Sequence, residues 1–151
     1  MSQLKKWEAL TLLLLRCGLA IVFIYHGYPK LFGSTERFLE SFRALGLPAY
    51  VVYIAGAIEL FGGVALALGL FTRVAGLLLL FDMAAAIWKY NLNEGIYAVQ
   101  EYELPLILGL ASLVVAATGG GQFTLDRLIF LRKRKREEME GGIPRYWKRR
   151  R

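Results

Sequence analysis

Residues 12–33 read LLLLRCGLAIVFIYHGYPKLFG, a run soluble in lipid at almost every position except Arg16 and, near its close, His26 and Lys30. An unpaired cation in the middle of an apolar helix costs roughly 2.5–3.5 kcal/mol on insertion scales. Arg16 therefore requires a partner or a task, and the rest of the chain is read for one.

The 151 residues are 56% hydrophobic with a mean hydropathy of +0.44, against roughly 45–50% apolar content in an ordinary soluble domain. Four apolar runs, about Ala9 to Tyr25, Tyr50 to Leu70, Val74 to Trp88 and Tyr102 to Thr118, account for the excess. Each approaches the roughly 17–25 residues that a helix needs to cross a hydrocarbon core of about 30 Å. The expected fold is all-α, an integral membrane four-helix bundle with spans at about 9–26, 50–70, 73–90 and 102–118. These form one domain over 1–126, followed by a basic tail at 127–151.

The first run also sits where a secretory signal would, behind Lys5 and Lys6. It lacks a small-residue cleavage site, outruns the usual apolar core of a signal and contains Arg16, so it reads as an uncleaved first span. Arg16 in front of Cys17 likewise argues against a lipid-modified cysteine. A single cysteine excludes an intrachain disulfide and a CxxC redox pair, and Cys17 reads as a small packing residue. A single histidine excludes a haem held by two histidines of one chain. No flavin, haem, iron–sulfur or metal-ligand motif is visible, so no intrinsic cofactor is evident.

Lys5, Lys6, Arg73 and the basic residues of the tail from Arg127 fall on one side of the expected membrane, while Lys30, Arg37, Arg43 and Lys89 fall on the other. By the positive-inside rule both termini are cytoplasmic, in a multi-pass protein of the cell membrane. The net charge of +7 resides mainly in the tail. Its sequence RKRKREEMEGGIPRYWKRRR suits an anionic leaflet beside a span, and Glu137, Glu138 and Glu140 weaken any case for nucleic acid. Between the first two spans Phe38, Phe42 and Leu45 recur at helical spacing among charged residues, with Gly46 and Pro48 as stops. A short amphipathic helix on the outer interface is expected there. Gly69, Thr72 and Arg73 mark a tight turn between spans two and three. Trp7, Tyr25, Tyr28, Tyr50, Trp88, Tyr90 and Tyr102 fall where interfacial aromatic belts should lie.

Counting rises of about 1.5 Å per residue places Arg16 about 10 Å into span one, Glu59 about 14 Å into span two and Asp82 about 15 Å into span three. All three come near one level, so the expectation is a midplane cluster of one cation and two acids. Gly56, Glu59 and Gly63 share a helix face, which turns the acid toward a closely packed neighbour. Asp82, Ala85, Ala86 and Lys89 share a side in the same way. The cluster is either a buried ion pair that fixes helix register or a site that binds a polar head group or carries a proton. His26 and Lys30, with Glu103 at the start of span four, form a second polar group at the outer mouth. Glu59, Asp82 and His26 are the candidate catalytic residues. Arg16, Glu59, Asp82, His26, Lys30 and Glu103 are the candidate ligand-binding residues.

These residues carry a resemblance. An arginine-bearing first helix ends in HGxxKLFG at His26 to Gly33; a GLP follows at Gly46 to Pro48. Then come ELxGG at Glu59 to Gly63, LGLxTR at Leu68 to Arg73, a methionine–alanine stretch at Met83 to Ala86, EYEL at Glu101 to Leu104 and GxFTLD at Gly121 to Asp126. In this order and spacing the chain resembles the DoxX family of membrane proteins over about Leu12 to Arg127. The resemblance implies a four-helix protein of the cytoplasmic membrane, similar to the small membrane subunits linked to thiosulfate:quinone oxidoreductase. Arg16, His26, Lys30, Glu59 and Glu103 match residue types of the family pattern, while Asp82 rests on depth alone.

Three functions follow as expectations. The first is a quinone-binding membrane subunit whose electrons come from a soluble or membrane oxidoreductase partner or a bound donor. The second is a scaffold or assembly subunit locked by its charges. The third is a small proton-coupled transporter, which four spans would require to be a homo-oligomer. The lipid bilayer is the common partner of all three, and none involves nucleic acid.

Overall fold

The computed structural model describes residues 3–94, 99–121 and 123–126. Five helices follow one another: α1 at Gln3–Phe32, α2 at Thr35–Ala44, α3 at Tyr50–Leu68, α4 at Thr72–Glu94 and α5 at Val99–Thr118. No strand occurs among the described residues. α1 packs on α3, α3 on α4, α4 on α5 and α5 back on α1, while the short α2 touches α1 and α3. The expectations for the tail at 127–151 lie outside the described residues.

Helix α1 is longer than the expected first span. It runs unbroken through Gly27 and Pro29, about 45 Å at 1.5 Å per residue. Proline removes one helical N–H donor and crowds the preceding turn, yet here it does not end the helix. The reason is tertiary: the turn around it is clamped to α3. A Cβ on Gly27 would lie 2.5 Å from the Leu60 backbone nitrogen and 2.9 Å from the Gly56 carbonyl oxygen. Gly63 in turn sits against Ile24 and the Ala20 carbonyl. The small residues of α1 and α3 therefore bring the two backbones almost into contact. Leu19, Phe23, Leu66, Leu79, Met83 and Val115 fill the core beside them.

α2 matches its expected pattern. Phe38, Phe42 and Leu45 are half-buried, while Glu36, Arg37, Glu40 and Arg43 are exposed. Gly46 ends the segment at φ 71°; its N–H donates to the Arg43 carbonyl at 2.8 Å, and the Leu47 N–H donates to that of Phe42 at 2.9 Å. The turn from α3 to α4 is as tight as expected, with Gly69 at φ 67° and Phe71 at φ 45°.

Two helical stretches, Lys6–Phe32 and Tyr50–Leu68, are long and apolar enough to cross a membrane, and the apolar part of α5, Tyr102–Thr118, is shorter. α4 is interrupted by Arg73, Asp82 and Lys89. Trp7, Tyr25, Tyr28, Tyr50 and Trp88 are all exposed on the helices.

The contrast between two glycines of α1 is testable. Gly27→Ala is expected to destabilise by about 1–3 kcal/mol through overpacking against backbone. Gly18, with nothing within 4 Å of its Cβ position, should accept alanine with a gain of up to about 1 kcal/mol from helix propensity. Thermal unfolding of the two variants in detergent measures both.

Candidate functional site: a buried lysine–glutamate pair

On α1, Arg16, Ala20, Phe23, Gly27 and Lys30 are all buried and alternate at four- and three-residue spacing, so they form one face. That face meets α3. Gly56 leaves room for the Lys30 stem, its Cβ position lying 2.8 Å from that of Lys30. The Lys30 Nζ then reaches the Glu59 Oε2 at 2.5 Å, with the two side chains 11% and 5% exposed. The Phe38 ring from α2 closes over the ammonium, its centroid 5.9 Å from Nζ.

The third member comes from α4. Leu79 packs into the space left open at Gly62, and α3 and α4 run antiparallel, so Glu59 and Asp82 come level one turn further on. Asp82 is partly buried and feels the charges of both Glu59 and Lys30. At the rim, Lys89 Nζ lies 3.9 Å from the Cβ position of Gly46. Lys30 pairs with Glu59, and Asp82 stands as a second acid beside that pair.

Arg16 is not part of this cluster, which corrects the expectation of an Arg16, Glu59 and Asp82 triad. Its Nε donates to the Leu66 carbonyl at 3.1 Å, and its Nη1 donates to those of Gly120 at 2.6 Å and Phe123 at 2.9 Å. Leu66 lies two turns of α3 beyond Glu59, about 10 Å away. The depth estimate failed because α1 begins before Ala9 and ends after His26, so the level of Glu59 falls at Lys30. Arg16 instead fastens three segments: α1, the C-terminal turn of α3 and the loop after α5. Asp126 completes this clasp. Its carboxylate accepts the N–H groups of Phe71 at 3.0 Å and Thr72 at 3.4 Å, and its own N–H donates to the Gly69 carbonyl at 3.2 Å. The first turn of α4 is thereby capped by a residue from beyond α5.

The outer group is corrected as well. Lys30 turns inward to Glu59, whereas His26 is half-buried with Nδ1 bound to the Val22 carbonyl at 2.9 Å. Its ring meets Tyr25 edge-on at 5.6 Å. Glu103 is exposed on α5 and does not join the cluster. Lys30 was legible as a partner of Glu59 only to a reading that carried the helix past Pro29. The carbonyl partners of Arg16 left no signal in side-chain identity.

A pair of double-mutant cycles separates the two cations. Lys30→Met or Glu59→Met alone should each cost about 3–5 kcal/mol, with much of the loss recovered in the double variant. Arg16→Met and Glu59→Met should add to within about 0.5 kcal/mol because they share no partner. Unfolding free energies of the three single and two double variants provide the measurement, and strong Arg16–Glu59 coupling would contradict the arrangement.

Comparison with known proteins agrees with the site-bearing segment. The DoxX family profile matches residues 11–92, from the first turns of α1 almost to the end of α4. CatD of Bacillus subtilis, named as a candidate oxidoreductase, is 35% identical over 122 residues, covering 81% of this chain and 89% of that one. The inner membrane protein YqjF of Escherichia coli is 31% identical over 130 residues, covering 83% and 97%. An uncharacterised membrane protein of Mycobacterium tuberculosis is 30% identical over 128 residues, covering 75% and 77%. No solved structure matches the chain. By family profile and by relatives aligned over most of its length, the chain belongs to the DoxX family.

Proposed function

We propose that this protein is a four-helix membrane bundle that acts as the membrane subunit of a quinone-linked oxidoreductase system, binding the quinone head group at Lys30, Glu59 and Asp82. The observation that carries the reading is the buried Lys30–Glu59 pair with a second acid beside it. Intramembrane ionisable groups of this kind commonly mark ligand or proton paths. The ring of packing from α1 through α3, α4 and α5 back to α1 supports the bundle. The names of the Escherichia coli and Mycobacterium tuberculosis relatives support the membrane setting, and that of CatD supports the redox role.

In this reading Lys30 donates a hydrogen bond to a ring oxygen of the quinone. Asp82, the acid beside the Lys30–Glu59 pair, relays a proton that such an oxygen takes up on reduction. The electrons come from a partner subunit or a bound donor, since the single Cys17 forms no dithiol within the chain. Arg16 has no part in this binding, because its hydrogen bonds hold it at the far end of α3.

Two experiments test the reading. Reconstituted protein is expected to bind a short-chain ubiquinone or menaquinone saturably, with the affinity lowered at least tenfold by Lys30→Met and by Asp82→Asn; absence of saturable binding overturns it. A reporter fused after Arg151 should be active only in its cytoplasmic form, placing both termini inside as the distribution of basic residues predicts.

A second reading has one observation in its favour: Lys30 and Glu59 already form a complete ion pair that locks α1 to α3. A pure scaffold would keep its cellular function when both are replaced by methionine. A ligand site would lose it.

A further inference from the structure

Between the end of α1 and the start of α2 opens a groove of about 710 Å³ that Phe38 also lines. Its walls are flat and largely apolar, formed by Tyr25, Tyr28, Pro29 and Phe38, with His26, Ser34 and Arg37 as its polar members. The hydrogen bond from His26 to its own helix decides the chemistry of that ring. A carbonyl oxygen can only accept, so Nδ1 must carry the proton that it donates to Val22. In the neutral imidazole the other nitrogen, Nε2, is then an acceptor. It lies across the ring from the nitrogen tied to the α1 backbone. A lone-pair acceptor among aromatic walls selects a ligand that offers a hydrogen-bond donor on a flat apolar body.

We infer that this groove is a second ligand site, distinct from the Lys30–Glu59–Asp82 cluster, which takes a membrane-soluble aromatic ring through a phenolic hydroxyl donated to His26 Nε2. The inference rests on the proposed function only for the lipid-soluble, ring-bearing class of ligand. Arg37 and Ser34 also line the groove and are the donors available to a second oxygen on such a ring. Phe38 lines this groove and also covers Lys30, so the two sites share one aromatic wall. The groove prefers a hydroxyl-bearing ring, whereas the buried lysine prefers a carbonyl oxygen. The pair of sites therefore discriminates between hydroxyl and carbonyl forms of a ligand by the direction of a single hydrogen bond.

His26 is the only histidine of the chain, so its imidazole nitrogens can be followed without assignment ambiguity by ¹⁵N-histidine NMR of the full protein in nanodiscs, in mildly alkaline buffer. The probes are a 4-alkylphenol and the matching 4-alkylanisole, which has the same ring and tail but no O–H. The alkylphenol is expected to shift Nε2 saturably, leave Nδ1 in its protonated state and bind about three- to tenfold more tightly than the anisole, as one neutral hydrogen bond allows. His26→Phe removes the NMR reporter, so its binding is followed by equilibrium partition of the two probes into the nanodiscs, where the phenol should fall to the affinity of the anisole; the Lys30→Met/Glu59→Met double variant, which keeps the fold, should leave the Nε2 response intact. An unprotonated Nδ1 in the free protein, equal Nε2 responses to the two probes, or loss of the response in the folded double variant overturns the inference. Because the response is read at His26 with no quinone present, it is independent of whether quinone binds at the buried cluster.

Discussion

The arrangement at the α2 end depends on how closely α1 and α3 approach. At Gly27, Gly56 and Gly63 a Cβ would collide with the facing helix, so side-chain volume is absent where the backbones meet. This contact brings Lys30 and Glu59 together far from solvent. Burying two charges costs more than their attraction returns unless the geometry is close. The glycine contact and the ion pair are therefore one unit: without close approach the charges would be buried apart, and without the pair the interface would hold two uncompensated ions. Packing against α3 also explains why α1 continues through Pro29, because ending the helix there would withdraw Lys30 from its partner.

The opposite end of the molecule handles its charge differently. Arg16 is held by three backbone carbonyls, with the carboxylate of Asp126 acting on it electrostatically. Carbonyl acceptors do not titrate, and their positions are set by helix and loop backbone. The same Asp126 caps the first turn of α4 and supports Phe71 in its left-handed conformation. Arg16 and Asp126 thus tie the loop of residues 119–126 to α1 and to the turn between α3 and α4. This is a structural use of a buried arginine, whose Nε and Nη1 are spent on backbone carbonyls.

What could be read from residue letters alone follows the same division. α2 was legible because Phe38, Phe42 and Leu45 repeat at helical spacing and Gly46 stops them. The inward turn of Glu59 was legible from Gly56 and Gly63. The partner of Glu59 was misread because depth was counted along a helix assumed to end near His26. Counting faces instead, Arg16, Ala20, Phe23, Gly27 and Lys30 form a single stripe, and the cation nearest Glu59 on that stripe is Lys30. The bonds of Arg16 were beyond this reading, since a carbonyl acceptor is present at every residue and marks none. The acceptor role of His26 Nε2 was equally hidden, as it depends on which ring nitrogen meets Val22.

Arg16 and Lys30 stand on one face of α1 about 20 Å apart, at the 1.5 Å rise of a helix. One is bound by three neutral backbone acceptors, while the other is paired with Glu59. The two share no partner, so each end of α1 is held by its own set of contacts. The division also locates any freedom to respond at α2, the one short helix, which rests on the cluster through Phe38 and contains no fully buried residue. The rigid clasp fixes one end of the helices, and a lightly held helix covers the charges at the other. In the proposed reading a ring-bearing ligand approaches beside Phe38, because that is where aromatic wall, unbalanced charge and weakly held cover coincide.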